Sequence, residues 1–240
     1  MEGVSFIFCD PKAELIDAWN SEIKKHLTLR QQERFATFHG YLKDVPWKFD
    51  CIVSPGNTSG RLDGSFDKVI SEMFHRNEET EESVTSHVQK TLHETWNGYQ
   101  PTGTCQMIDM SGFTESNPNK FGCNKLAHCP TMHIPGSCVW DREVVFKCFW
   151  SLLCQIQLYN NRNPKSKVDT VLCTGLGTGV GILPSNVCAA QMVLAYSHFE
   201  ANLEKVPKTT SWRQATDLGL ALDETLRVPS MFSSGLRPGK

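Results

Sequence analysis

Asn57 and Asp67 are the polar residues whose type and spacing could support chemistry, because they bracket a glycine-rich turn that leads into a helix. Residues 51–53 are a continuous apolar run, which predicts a strand buried on both faces. Residues 54–65 are rich in Gly, Pro, Ser and Asn, and a helix is predicted from Phe66, with Asp67 in its first turn. Backbone N–H groups in such a turn can converge on an anion. The alternative is an ordinary turn between a strand and a helix.

A second glycine-rich segment follows a later apolar run. Residues 173–186 read CTGLGTGVGILPSN and place glycine at alternate positions, which are Gly175, Gly177, Gly179 and Gly181. The segment does not match the dinucleotide-binding fingerprint, because Val180 and Ile182 occupy its third-glycine positions, and it lacks the lysine of a P-loop. Alternating glycines let the backbone approach a bulky ligand and leave N–H donors unhindered. The alternative is close packing of a strand against a helix.

Two histidines and several cysteines lie between these segments. His128 and His133 flank a Cys-Pro-Thr tripeptide and could exchange protons near neutral pH, although structural roles for both are the favoured interpretation. The spacing of these histidines relative to Cys123, Cys129 and Cys138 fits no standard zinc finger. Alternate residues of a strand also face opposite ways. No metal site is therefore predicted, and no thiol is marked as a nucleophile.

The elements that must position these residues alternate between strand and helix. The predicted strands are Val4–Cys9, Phe35–His39, 51–53, Gly103–Met110, Leu126–Met132 and Val168–Cys173. Six helices are predicted. They are a first helix from Asp10, its N-cap, to Leu27; Phe66–Phe74; a polar helix that ends at Trp96; Val144–Tyr159; a helix from Ser185, its cap, to Leu203; and Trp212–Leu226. The acidic run 78–82 is predicted to be solvated, residues 111–120 to be a loop, and Pro229–Lys240 to be a loose tail.

This alternation predicts a three-layer α/β/α fold with a largely parallel central sheet. Ligands of such sheets bind at the carboxyl ends of the strands. Both glycine-rich segments directly follow strands, so they are expected at the same edge. Two anion-binding loops at one edge favour a nucleotide-like ligand with more than one phosphate or ribose group.

The composition of the chain is that of an ordinary globular protein. It has 240 residues, is 40% hydrophobic and 21% charged, and carries a net charge of −2. These values are typical of a globular domain and give no electrostatic footprint for nucleic acid or for an acidic membrane surface. The N-terminus lacks a signal-peptide pattern, and the ten cysteines are irregularly spaced within apolar runs. We therefore expect a cytoplasmic protein without membrane partners, with the nucleus as a second candidate compartment.

The two loops together carry a family resemblance. Residues 53–57 (VSPGN) are followed by a glycine-rich stretch and by Asp67, ten residues after Asn57, and the second loop is followed by Pro184. Residues 126–135 (LAHCPTMHIP) lie between the two loops. This arrangement, from about Ser5 to Phe199, resembles the macro domain family, which binds ADP-ribose, and in particular its hydrolytic branch and a subgroup whose first loop reads SPxNS.

Three positions depart from the pattern of that family. The adenine-contacting Asp normally follows a Gly, but here Tyr41 follows Gly40, so that either Tyr41 stacks on the base or Asp10 supplies the acceptor. The usual glycine triplet reads Asp63-Gly64-Ser65, which puts a side chain near the expected position of the distal ribose. Arg61 replaces an apolar residue and could reach a phosphate or point into solvent.

The resemblance implies a macro domain over residues 1–206 with a C-terminal extension over 207–240. It implies that Asn57 holds the distal ribose and that Asp67 orients a water molecule or acts as a base, with helix capping as the alternative for Asp67. The implied ligand-binding residues are Asp10, Tyr41, Ser54, Pro55, Gly56, Gly60, Leu62, Asp63, Gly64, Ser65, Thr174, Gly175, Leu176, Gly177, Thr178, Gly179, Val180 and Gly181.

The implied activity is hydrolytic removal of a group from the distal ribose, either the phosphate of ADP-ribose 1″-phosphate or a modified protein side chain. No cofactor or metal is implied. The competing class is a non-catalytic reader of ADP-ribosylated partners, which would not need Asp67. An NAD-dependent oxidoreductase is disfavoured because the dinucleotide fingerprint is not met.

Overall fold

A six-stranded sheet forms the centre of the computed structural model, which describes residues 3–75, 81–115, 118–204, 206 and 208–227. The strands are β1 (Ser5–Asp10), β2 (Phe35–His39), β3 (Cys51–Ser54), β4 (Gln106–Asp109), β5 (Lys125–His128) and β6 (Thr170–Cys173), and their order across the sheet is β2-β1-β6-β3-β5-β4. All neighbouring strands are parallel except β4, which runs antiparallel to β5 at the edge.

Helices cover both faces of this sheet. They are α1 (Ala13–His26), α2 (Leu29–Gln32), α3 (Ser65–Phe74), α4 (Glu81–Trp96), α5 (Ser111–Thr114), α6 (Val144–Arg162), α7 (Ser185–Glu204) and α8 (Trp212–Thr225), with a 3₁₀ turn at Leu42–Asp44. Strands that alternate with helices in this way form the three-layer α/β/α arrangement that the sequence predicts.

The strands are buried on both faces, and alternate residues belong to different cores. Phe6 and Phe8 of β1 pack with α1, α6 and α7, whereas Ile7 and Cys9 pack with α3 and α4 on the opposite face. This alternation follows from the two-residue period of a strand. It explains why β1 reads as an unbroken apolar run.

Parallel pairing brings the ends of several strands to one edge. Ser54, the last residue of β3, is in register with His128, the last residue of β5. Asp10 ends β1 and lies in register with His39 of β2. The segments that follow β1, β3 and β6 therefore all leave the sheet on the same side, which is the side expected for a ligand in this class of fold.

Several predicted boundaries differ from the structure. Helix α1 begins at Ala13 with Lys12 as its N-cap, so the prediction that Asp10 caps it is wrong. Strand β5 ends at His128 rather than Met132, although Thr131 still donates its N–H to the Gly56 carbonyl at 3.0 Å and Met132 forms an isolated bridge with Asn57. Ser185 is the first residue of α7 rather than its cap.

Four further boundaries differ by a few residues. Strand β4 is shorter than 103–110, β6 begins at Thr170, α6 continues to Arg162, and the predicted loop 111–120 contains the single-turn helix α5.

The C-terminal helix packs on the body of the fold. Leu222 of α8 is buried, and Gln191 of α7 donates from Nε2 to Thr225 Oγ1 at 3.2 Å. The predicted tail, Pro229–Lys240, and residues 78–80 of the acidic run lie outside the described residues. Among the residues that are described, no helix is both long and apolar enough to span a bilayer.

Candidate functional site

A cleft of about 600 Å³ lies at the carboxyl ends of the parallel strands. The first loop, residues 54–65, and the second loop, residues 174–184, both contribute to its wall. Asn57 and Gly179 thus face one common space. The walls include Asp10 and Tyr41 at the ends of β1 and β2, which extend the cleft beyond the two loops.

Most of the residues implied by the family resemblance line this cleft. They are Asp10, Tyr41, Pro55, Gly56, Asn57, Asp63, Gly64, Ser65, Asp67, Thr174, Gly175, Gly177, Thr178, Gly179, Val180 and Gly181. Four do not line it: Ser54, Gly60, Leu62 and Leu176. The structure therefore does not bring these four implied ligand-binding residues to the cleft.

The four exceptions are directed into the protein. Gly60 has a φ of +69° and lies against Leu92 of α4, so close that a Cβ would come within 2.7 Å of its side chain. Leu62 and Leu176 are core residues, 1% and 0% exposed. Ser54 is fully buried one layer behind the wall. These residues shape the loops from behind.

The cleft also contains residues that sequence reasoning missed, namely Cys9, Pro11, Lys12, Gly40, Leu42, Lys43, Phe66, Val69, Glu72, Met132 and Pro135. Many are immediate chain neighbours of predicted residues, which is the signal that could have found them. Lys12 is the most informative, because its Nζ donates to the Thr178 carbonyl at 2.6 Å. This contact joins the β1–α1 turn to the second loop and places a positive charge beside the glycines.

The side-chain amide of Asn57 organises the first loop. Its Oδ1 accepts from Ser59 Oγ at 2.7 Å and from the Arg61 N–H at 3.3 Å, and its Nδ2 donates to the Arg61 carbonyl at 2.9 Å. The amide nitrogen carries two N–H groups, so one remains available to a ligand. The Arg61 side chain itself pairs with Asp63 at 2.6 Å.

Asp67 lies at the start of α3 and is only 9% exposed. Its Oδ1 lies 2.7 Å from Ser54 Oγ. Burial raises the pKa of Asp67 from 3.8 to about 7, with the Asp63 charge acting in the same direction and the Ser54 hydrogen bond opposing it. The low pKa required by the sequence-based interpretation of Asp67 as an ionised base is therefore not met. The carboxyl group titrates near neutrality instead, which is the range that suits a general acid or base.

His128 has partners that the sequence did not reveal. Its Nδ1 lies 3.2 Å from Ser54 Oγ, and its Nε2 lies 3.0 Å from the Asn57 carbonyl oxygen. Burial lowers the pKa of His128 to about 4, so the ring is neutral at physiological pH. Gly56 makes room for this ring, because a Cβ there would lie 2.4 Å from His128 Cε1.

The glycines of the second loop serve two different purposes. A Cβ at Gly175 would lie 2.4 Å from Leu15 Cδ2, and one at Gly181 would lie 2.5 Å from Cys138 Sγ. Gly177 has a φ of +71°. These three permit close packing, as the alternative interpretation supposes. Gly179, by contrast, has open space above it and borders the cleft.

Asp10 and Tyr41 line the part of the cleft at the ends of β1 and β2. Asp10 accepts from the Lys12 backbone N–H at 3.0 Å and from Thr174 Oγ1 at 2.9 Å, which ties the end of β1 to the segment after β6. Tyr41 is 63% exposed. Its ring is thus free of the core and borders the same space, as stacking on a base would require.

His133 and the described cysteines other than Cys9 do not line the cleft. His133 is exposed and stacks on Trp140 at a ring-centroid distance of 4.9 Å. Within the described residues, no group of three metal-ligating side chains is close enough to hold an ion. Burial raises the pKa of Cys9 to about 12 and that of Cys138 to about 11, which keeps both thiols protonated.

Comparison with known families is consistent with this architecture. The model of one family, described as a macro-like domain, matches residues 1–211. The chain belongs to the macro-like domain family. The three-layer fold with a mostly parallel sheet, predicted from the resemblance, is confirmed.

Solved macrodomain structures are similar to this one at low sequence identity. An Oceanobacillus iheyensis macrodomain with ADP is 16% identical, with 74% of this chain and 85% of that chain covered and a TM-score of 0.48. A glycine-to-valine variant of it with ADPR is 15% identical, with coverages of 78% and 90% and a TM-score of 0.50. A Trypanosoma brucei macrodomain in complex with ADP is 14% identical, with coverages of 93% and 69% and a TM-score of 0.43. At these identities the likeness concerns the fold.

Proposed function

We propose that this macro-like domain binds ADP-ribose or a close derivative in the cleft and hydrolyses a group attached to the distal ribose. The observation that carries the proposal is that both glycine-rich loops line one open cleft of about 600 Å³. A cavity of this size lies within the range of small-molecule sites. The macrodomain structures with ADP and ADPR support the choice of ligand.

The polar groups of the cleft suit a sugar diphosphate. The backbone N–H groups of Gly177–Gly181 are the candidate diphosphate site, and Lys12, already held at Thr178, adds a positive charge beside them. Tyr41, just after the end of β2, is the candidate adenine contact. Binding of the diphosphate would position the distal ribose near Asn57, so that binding energy at one end orients the reaction at the other.

Asp67 is the candidate general base for the attack of a water molecule on the distal ribose or on the group that it carries. Its buried position and its pKa of about 7 suit a carboxylate that takes up a proton during the reaction. The two substrate classes are ADP-ribose 1″-phosphate, which gives ADP-ribose and phosphate, and protein-linked ADP-ribose. No step of this scheme needs a cofactor.

A non-catalytic reader of ADP-ribosylated partners is the second candidate. Two observations favour it. The oxygen of the Asn57 amide is already bonded within its own loop, and Ser65 puts a side chain on the cleft wall where a glycine is usual. A reader would retain both loops and would have no need for a titrating carboxyl group.

Turnover assays with Asp67→Ala separate the two candidates. We expect the wild-type protein to release phosphate from ADP-ribose 1″-phosphate or ADP-ribose from a mono-ADP-ribosylated protein. The Asp67→Ala variant should lose at least about 10²-fold in rate, the typical contribution of a general base, and should still bind ADP-ribose. Binding by the wild type without turnover of either substrate would establish the reader instead.

A further inference from the structure

Four groups form a continuous chain of hydrogen bonds that begins at the cleft wall and runs behind it. Asp67 Oδ1 lies 2.7 Å from Ser54 Oγ, which lies 3.2 Å from His128 Nδ1, and His128 Nε2 lies 3.0 Å from the Asn57 carbonyl oxygen. Ser54 and His128 are both 0% exposed. Water therefore does not reach the middle of the chain, and the four groups must satisfy one another.

The Asn57 carbonyl sets the direction of the chain. A carbonyl oxygen only accepts hydrogen bonds, so His128 Nε2 must carry a hydrogen and donate it. A neutral histidine with Nε2–H has a lone pair on Nδ1. Nδ1 therefore needs a donor, and the neighbour that it contacts is the hydroxyl group of Ser54.

An ionised Asp67 leaves this chain one proton short. Ser54 has a single O–H, and both of its neighbours, the carboxylate and Nδ1, would then be acceptors. Whichever one receives the hydrogen, the other faces a lone pair of the serine oxygen at hydrogen-bond distance. A buried acceptor left without a donor costs free energy.

One added proton resolves the conflict. If Asp67 carries it, Asp67 donates to Ser54, Ser54 donates to His128, and His128 donates to Asn57. If His128 carries it instead, the Ser54 hydroxyl turns back to an ionised Asp67, but two separate charges are then buried. We propose that Ser54 and His128 are positioning residues that form a relay with Asp67, and that this relay is complete with uncharged members only when Asp67 holds the proton.

Some charged groups around the relay oppose ionisation of Asp67, and others favour it. Asp63 of the first loop opposes ionisation of Asp67, although Arg61 pairs with it at 2.6 Å. The N-terminus of α3 favours ionisation through the helix dipole. Glu72 of α3 adds a further negative charge on the same cleft wall. The upward shift in the pKa of Asp67 and the downward shift in that of His128 agree with a neutral relay.

The relay would set the pH at which Asp67 becomes a base, and this consequence rests on the proposed hydrolysis. A protonated carboxyl group cannot accept a proton from the attacking water. The rate should therefore rise as Asp67 ionises and level off above that pH. Ser54 and His128 would tune the position of this rise without touching the substrate.

The test is the titration of Asp67, monitored by NMR in protein labelled with ¹³Cγ-aspartate. The signal of Asp67 is assigned by its loss in Asp67→Asn. His128→Phe keeps an aromatic ring but removes both ring nitrogens, so this side chain no longer offers Ser54 an acceptor. Ser54 is then free to donate to the carboxylate, so the titration midpoint should fall by about one pH unit, the usual effect of a hydrogen bond to a charged group. His133→Phe is the matched control on the same segment and should leave the midpoint unchanged. A midpoint that stays or rises in His128→Phe overturns the relay.

A second measurement needs no variant. Long-range ¹⁵N–¹H correlation spectra of the wild-type protein report the tautomer of His128, which should be the neutral Nε2–H form from pH 5 to 9. An Nδ1–H tautomer or a charged ring in this range would refute the relay even if His128→Phe fails to fold. Neither measurement needs substrate. Absence of turnover with an intact titration shift would therefore reject the hydrolase and leave the relay standing.

Discussion

Replacing Asp67 by asparagine should change the pH dependence of folding in a defined direction. The folded-state pKa of Asp67 is raised from 3.8 to about 7 by burial, so the folded state binds this proton more tightly than the unfolded state does. Stability from such a group is fully present below pH 3.8 and is lost as pH rises through about 7. The amide of the substituted asparagine cannot ionise, so the variant should escape this loss.

The size of the effect follows from the shift. A rise of about three pKa units corresponds to on the order of 4 kcal/mol, at ~1.4 kcal/mol per unit. The lowered pKa of His128, about 4 against 6.5, has the opposite sign, because it adds stability as pH rises from about 4 to 6.5. The two groups therefore partly cancel in the wild type. In Asp67→Asn only the contribution of His128 remains, so the free energy of unfolding should increase as pH rises from about 4 to 6.5.

Urea unfolding at closely spaced pH values from 4 to 8 measures this difference. We expect the free energy of unfolding of Asp67→Asn, relative to wild type, to increase by up to about 4 kcal/mol across the range. Asp17→Asn is the control: its side chain is exposed on α1 and does not line the cleft, and its difference from wild type should change little with pH. A constant difference between Asp67→Asn and wild type would refute the claim that this carboxyl group is buried and titrates near neutrality.

Four further substitutions test local features of the two loops. Ser65 has a φ of +48°, so Ser65→Gly should stabilise the fold by about 1 kcal/mol in urea unfolding, and no gain would mean that the backbone there is unstrained. Gly56→Ala should destabilise by about 1–3 kcal/mol, because its Cβ meets His128 at 2.4 Å, and a neutral result would show that the ring is not held in place. Gly175→Ala should destabilise similarly, whereas Gly179→Ala should change unfolding by less than about 0.5 kcal/mol; equal effects would contradict the division between packing and open glycines.

Much of the fold could be predicted because it follows from local pattern. The apolar runs at 4–9 and 51–53 are buried on both faces, and parallel strands bring the segments after them to one edge. That edge carries both glycine-rich loops, as expected from their positions directly after strands. The boundaries that failed lie at the ends of elements, such as β5, which ends at His128 instead of Met132, and α1, where Lys12 takes the N-cap position expected for Asp10.

The connections within the site could not be predicted because they depend on tertiary register. Nothing near His128 in the sequence marks a partner, yet the pairing of β3 with β5 sets it beside Ser54. The burial of Asp67 likewise follows from the packing of α3 on the sheet rather than from the helix-start position, which alone suggests an ionised carboxylate. Lys12 reaches Thr178 across 166 residues of sequence.

Calorimetric titration with ADP-ribose tests most directly the claim that the two loops hold one ligand. Gly64 and Gly179 border the cleft on different loops, and a Cβ at either position would have no protein atom within 4 Å beyond its chain neighbours. We therefore expect Gly64→Leu and Gly179→Leu to fold and to place a bulky side chain in the cleft, each from a different loop. We predict that ADP-ribose binds the wild type more tightly than AMP does, and that each variant loses this binding. Equal affinity for AMP and ADP-ribose, or unchanged binding in either variant, would contradict a shared site.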